Sequence, residues 1–64
     1  MDIIKVITQL REEKQMSKKE LSEVLGIDIR TYYRYEEGTP IPFDKALQAI
    51  NYFGYTISVT RLFE

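Results

Sequence analysis

The 64-residue chain has no cysteine and no histidine. Disulfide staples are therefore excluded, and a structural zinc site loses both of its usual ligand types. The same absences remove the commonest nucleophile and proton shuttle, and no glycine-rich phosphate loop is present. Nothing in the sequence calls for a cofactor, and the carboxylates are interleaved with lysines as on a solvated helix face, so the chain does not read as an enzyme. Long apolar runs are missing too. None approaches the ~20 residues of a membrane span, and charges interrupt every apolar run near the start, where a signal peptide would be uninterrupted. These features are compatible with a cytoplasmic protein. A strong positive charge is also absent: the formal net charge is −1. That balance counts against a general nucleic-acid binder.

A chain this short reads as one domain, residues 1–64. It buries a modest fraction of its surface, so without disulfide or metal the remaining common source of buried area is a second copy.

The organising stretch is Ser17 to Gly38, SKKELSEVLGIDIRTYYRYEEG. Ser17 can cap a helix, and Glu20 three residues on completes a capping box. Met16 and Leu21 are placed for a hydrophobic staple, and Leu21, Val24 and Leu25 give an apolar side. Gly26 stops this helix, because glycine takes a left-handed backbone without steric cost. Asp28 can cap a second helix that runs to Gly38. Helix, short glycine turn and helix form the helix-turn-helix pattern, which the spacing places at residues 17–38. A helical bundle with no role at DNA fits the same bare pattern.

Upstream, Asp2 can cap a helix to about Lys14, with Ile3, Val6, Ile7 and Leu10 on one stripe. Downstream, Thr39-Pro40-Ile41-Pro42 is a stiff loop. A fourth helix is expected from about Phe43 to Phe53, with Phe43, Ala46, Leu47, Ala49, Ile50 and Phe53 on its apolar side. After Gly54 the period changes to two. Large apolar and small hydroxyl residues alternate over Tyr55–Thr60, which predicts a strand, taken to span residues 55–62. No partner strand exists elsewhere in the chain, so this one needs a second chain. Tyr55, Ile57 and Val59 share a face and are the expected dimer contacts.

Charge is uneven. Lys14, Lys18, Lys19, Arg30 and Arg34 against Glu20, Glu23 and Asp28 leave the segment Lys14–Arg34 at +2 and the remainder at −3. The local field matters more than the total where one face meets a phosphate backbone.

The run from Leu10-Arg11 through the Ser17–Glu20 box, Leu21, Ser22 and Leu25-Gly26-Ile27 to Tyr35-Glu36-Glu37-Gly38 resembles the phage-repressor, XRE-type helix-turn-helix family. The resemblance spans about Ile3 to Gly54. It implies a compact helical bundle that binds double-stranded DNA, commonly as a dimer, with Tyr32 and Tyr35 in the core, Tyr33 outward, and an Arg11–Glu36 ion pair. That pair also answers a local problem, since an acid at a helix C-terminus opposes the macrodipole. The chain departs from the family at Lys18 and Ile29, where glutamine and polar residues are usual, and in its uncharged loop after the second helix of the motif. Its C-terminal strand, in place of a fifth helix, is similar to antitoxins of the HipB kind, whose strands pair across a dimer.

These features give a mainly α fold: a four-helix repressor-like bundle with a C-terminal strand pairing across a homodimer. The expected function is sequence-specific DNA binding by a transcriptional repressor on a palindromic operator. Arg30 and Arg34 are the expected base readers. Ile29 is suited to a thymine methyl, and Lys18, Thr31, Tyr33 and Thr39 to positioning on phosphates. The rival is an antitoxin or adaptor module whose main partner is a protein such as a toxin, favoured by the acidic pI of 5.4 and the uncharged loop.

Overall fold

The structure, a computed structural model, describes residues 2–58. Four helices follow one another: α1 (Ile3–Glu13), α2 (Lys18–Leu25), α3 (Ile29–Glu37) and α4 (Phe43–Tyr52). Three begin with a side-chain or backbone device readable in the sequence. Asp2 accepts from the Ile4 backbone N–H at 3.3 Å. At α2 the box closes in both directions: Glu20 N–H donates to Ser17 Oγ and Ser17 N–H to Glu20 Oε1, both at 3.0 Å. The Ser17 backbone N–H, and after it the Ser17 hydroxyl, hold the Glu20 carboxyl below its ordinary range. Asp28 accepts from the Arg30 backbone N–H at 2.8 Å.

Helix endings share one geometry. After α2, Gly26 lies at φ 67°, ψ 32°, and the Ile27 N–H returns to the Ser22 carbonyl at 3.0 Å. A left-handed residue thus satisfies carbonyls that the helix would otherwise orphan. The Met16-to-Arg11, Thr39-to-Arg34 and Tyr55-to-Ile50 bonds repeat this closure after α1, α3 and α4. At the end of α1 the left-handed position is taken by Gln15, at φ 54°, the sole non-glycine with positive φ among the described residues.

The helices pack α1 on α3 and α4, and α2 on α3 and α4. Ile7, Leu21, Leu25, Tyr32, Tyr35, Ala46, Ala49, Ile50 and Phe53 form the shared core. Tyr32 is fully buried, whereas Tyr33 next to it is 43 % exposed. The α1 stripe is unevenly covered: Ile7 is buried, but Ile3, Val6 and Leu10 are only half-buried. They line a cleft of about 520 Å³ together with residues 55–58.

One expectation is corrected. Phe43 shares the helical phase of the α4 core residues, yet it is 63 % exposed. It is the first residue of α4, and helical side chains lean towards the N-terminus, which carries this ring past the end of the core. It borders a shallow cleft with Ile3, Ile41, Ala46 and Ile57 instead. Leu47, on the same expected face, is half-buried. The strand expected over 55–62 is not formed among the described residues: residues 55–58 belong to no ladder. Residues 59–62 of that span, Val59 among them, lie outside the described residues.

Candidate nucleic-acid interface

The Gly26 turn sets α3 against α2, and the core fixes which side of α3 looks outward. Tyr32 and Tyr35 are buried, Glu36 is half-buried, and Arg30, Tyr33, Arg34 and Glu37 are exposed. At 100° per residue those four exposed positions share one arc, opposite the two core tyrosines. Ile29 and Thr31 flank the arc and are half-buried, while Thr39 is exposed just past the end of the helix. Arg30 and Arg34 therefore lie one turn apart on the open face.

The back of α3 is locked by one carboxylate. Arg11 Nε donates to Glu36 Oε2 at 3.0 Å and Arg11 Nη2 to Oε1 at 3.4 Å. Arg11 Nη1 donates to the Met16 carbonyl at 2.9 Å, tying the α1–α2 turn to the same guanidinium. The Tyr32 hydroxyl donates to Glu36 Oε2. The Arg11 and Glu36 side chains are only 11 % and 10 % exposed. Burial pushes the Glu36 carboxyl up, but the hydrogen bonds from Tyr32 and Arg11 and the charges of Arg11 and Lys18 outweigh it and hold it below its ordinary range. Burial, reinforced by Glu36, pushes the Tyr32 hydroxyl well above the ordinary tyrosine value, so it stays protonated and can donate. Burial works against the Arg11 charge, and Glu36 more than reverses that effect. The acid that the α3 dipole disfavours is thus held by a cation and a phenol.

Lys18, at the first position of α2, is 3.8 Å from Glu36 Oε1 and lies over the Tyr33 ring, 4.8 Å from its centroid. Two of the residues expected at phosphates are therefore side by side across the α2–α3 junction. A lysine at this distance has a weak hold on a carboxylate that already has better partners, and its side chain remains 42 % exposed.

Three features were not anticipated from the sequence. Asp28 caps α3 and also binds the Arg30 side chain, with Nε to Oδ1 at 3.2 Å and Nη2 to Oδ2 at 3.4 Å. Arg30, through its side chain and then its backbone N–H, holds the Asp28 carboxyl below its ordinary range. The aspartate–arginine spacing of two was the available signal. Second, Lys45 Nζ and Gln48 Nε2 donate from α4 to the Leu25 and Val24 carbonyls at 2.9 and 3.0 Å. They complete the C-terminus of α2, where a cation is favoured. No local pattern announces a contact between residues so far apart in sequence. Third, Glu37 shares the open arc of α3 with Arg30 and Arg34. With Asp28 it balances the two arginines in formal charge.

The sequence model of the helix-turn-helix family matches residues 7–59, most of the chain. The chain belongs to the XRE-type helix-turn-helix family of DNA-binding transcription regulators. No curated protein and no solved structure matches it. In this family member the motif's two helices are α2 and α3, and the outer arc of α3 is exposed. Among the described residues no helix is long and apolar enough to cross a membrane.

Proposed function

We propose that this protein is a cytoplasmic transcriptional repressor that binds a palindromic operator as a symmetric homodimer, with α3 of each copy in the major groove. The observation that carries the reading is the division of α3. Tyr32, Tyr35 and Glu36 anchor its back to the bundle, and Arg30 and Arg34 are exposed on its front. An arginine so placed can fork onto O6 and N7 of guanine. Lys18, Thr31, Tyr33 and Thr39 contact phosphates, and Ile29 meets a thymine methyl.

Dimerisation runs through the C-terminal segment. Residues 55–58 lie along the half-covered α1 stripe, and Tyr55 is 59 % exposed. A second copy of residues 55–62, antiparallel across a two-fold axis, supplies the missing ladder and covers Tyr55, Ile57 and Val59. Such a dimer presents the two α3 helices about 34–36 Å apart, one turn of DNA. The rival reading, an antitoxin or adaptor whose chief partner is a protein such as a toxin, draws support from Asp28 and Glu37, which offset the arginines on the same helix. Selection of bound duplexes from a random pool tests the reading. A two-fold symmetric consensus with half-sites one turn apart is expected; a pool that does not converge contradicts it.

A further inference from the structure

The Asp28 carboxylate meets Arg30 along one side of the guanidinium. The contact uses Nε and Nη2, which form a single edge of a planar group carrying five N–H donors in a fixed fork. On the Nη1–Nη2 edge, Nη1 and the second N–H of Nη2 are not engaged by Asp28. Two parallel N–H bonds on that edge match the spacing of guanine O6 and N7. Asp28 itself is fixed, because its Oδ1 also caps α3 through the Arg30 backbone N–H at 2.8 Å. Both side chains are exposed, at 80 % for Arg30 and 53 % for Asp28.

We propose that Asp28 is a specificity-determining residue, which holds the Arg30 guanidinium by one edge so that the other is presented to a guanine. The proposal rests on the reading of α3 as the groove helix. An arginine without this hold is a long flexible cation, free to swing to a neighbouring phosphate and bind every sequence alike. Lodged between the strands of a duplex, Asp28 also repels phosphates directly. Its carboxylate therefore lowers affinity for arbitrary DNA while sharpening the choice of base. Removing the charge shifts these two quantities in opposite directions, which loss of a helix cap alone does not do.

The test uses the full chain as wild type, Arg30→Ala, Asp28→Asn and the double variant. Duplex selection identifies the preferred site, and titrations compare it with single-base changes and with a scrambled duplex. Asparagine caps a helix as well as aspartate, so the thermal midpoint of Asp28→Asn should match wild type. Asp28→Ser, another good cap, is the second variant if the first folds poorly. Arg30→Ala should erase the preference for one guanine in each half-site. Asp28→Asn should weaken the preference for that same guanine by about tenfold and raise affinity for the scrambled duplex by about twofold or more. In the Arg30→Ala background it should alter base preference no further. Retention of the guanine preference in both Asp28 variants, with Arg30→Ala losing it, overturns the positioning role and leaves Asp28 a cap. Loss of a cytosine at another position makes Asp28 a direct reader and also overturns it. If Arg30→Ala leaves every preference intact, the assignment of Arg30 as a base reader fails, a result distinct from either.

Discussion

Glu36→Ala perturbs the structure at the point where three side chains meet one carboxylate. It removes the acceptor of Arg11 Nε and Nη2 and of the Tyr32 hydroxyl, and the 3.8 Å partner of Lys18. Arg11 keeps its bond to Met16, but its charge, with the side chain only 11 % exposed, loses its counter-ion. Stripping one partner from a buried pair costs about 3–5 kcal/mol. The retained Met16 bond and the pair's position at the rim of the core place the loss towards the lower end, about 3 kcal/mol. Domains of this length are stable by only about 3–10 kcal/mol, so a large share of the total disappears. At about 4–8 °C per kcal/mol the thermal midpoint falls by about 12–24 °C. Urea and thermal unfolding of Arg11→Ala, Glu36→Ala and the double variant supply the cycle. The double variant should lose clearly less than the two singles combined, because each single leaves an unpaired group that the other removes. Losses of a few tenths of a kcal/mol in both singles, or strict additivity, would refute the reasoning.

The remaining predictions concern pH, the turn, base reading and the C-terminal segment. Because the folded pKa of Glu36 lies below the usual unfolded value, its stabilisation is present above about pH 4.3 and is lost as pH falls through the folded pKa; Glu36→Gln should flatten that acid limb in a series of urea titrations. Gly26→Ala should cost about 1–2 kcal/mol from the left-handed backbone alone, since nothing lies within 4 Å of the added methyl; an unchanged unfolding midpoint contradicts this. Arg34→Ala should lose discrimination of about 1–3 kcal/mol at one base position, whereas Lys18→Ala should weaken all duplexes alike and flatten the salt slope by about one unit, both read by titration of cognate and scrambled DNA. Ile57→Pro removes a ladder donor; sedimentation should then show a monomer where wild type is a dimer, and a proline variant that stays dimeric removes the strand from the interface.

Helix boundaries were legible because their causes are local. Asp2, the Ser17–Glu20 box, Gly26, Asp28 and Gly38 act within a turn of where they sit, and each marks a start or stop in the structure. The assignment of Tyr32 and Tyr35 to the core and Tyr33 to the surface was available through the family resemblance. Phe43 was misplaced because periodicity gives a residue's angle around an axis and not its height along the core. Lys45 and Gln48 were invisible because their acceptors are backbone carbonyls of a helix 20 and 24 residues away, and every chain has carbonyls. The Arg11–Glu36 contact was anticipated through family resemblance, yet the Tyr32 hydroxyl that completes it follows only from burial, which obliges a phenol to find an acceptor. At the interface, residue types marked the arginines; that Asp28 already binds Arg30 is a matter of rotamers, which spacing alone leaves open.

The central claim is sequence-specific DNA binding through the outer face of α3. Its most direct test is the affinity of the wild-type chain for its selected duplex and for a scrambled duplex of equal length, measured across a range of salt concentrations. Each neutralised phosphate adds about 0.9 to the double-logarithmic slope, so one lysine per protomer of a dimer already requires a slope of about −2 or steeper. Steep slopes on both duplexes and a gap of at least about a thousandfold between them are expected. Equal affinity for the two, with little dependence on salt, would contradict the claim and leave protein binding as the function of this surface.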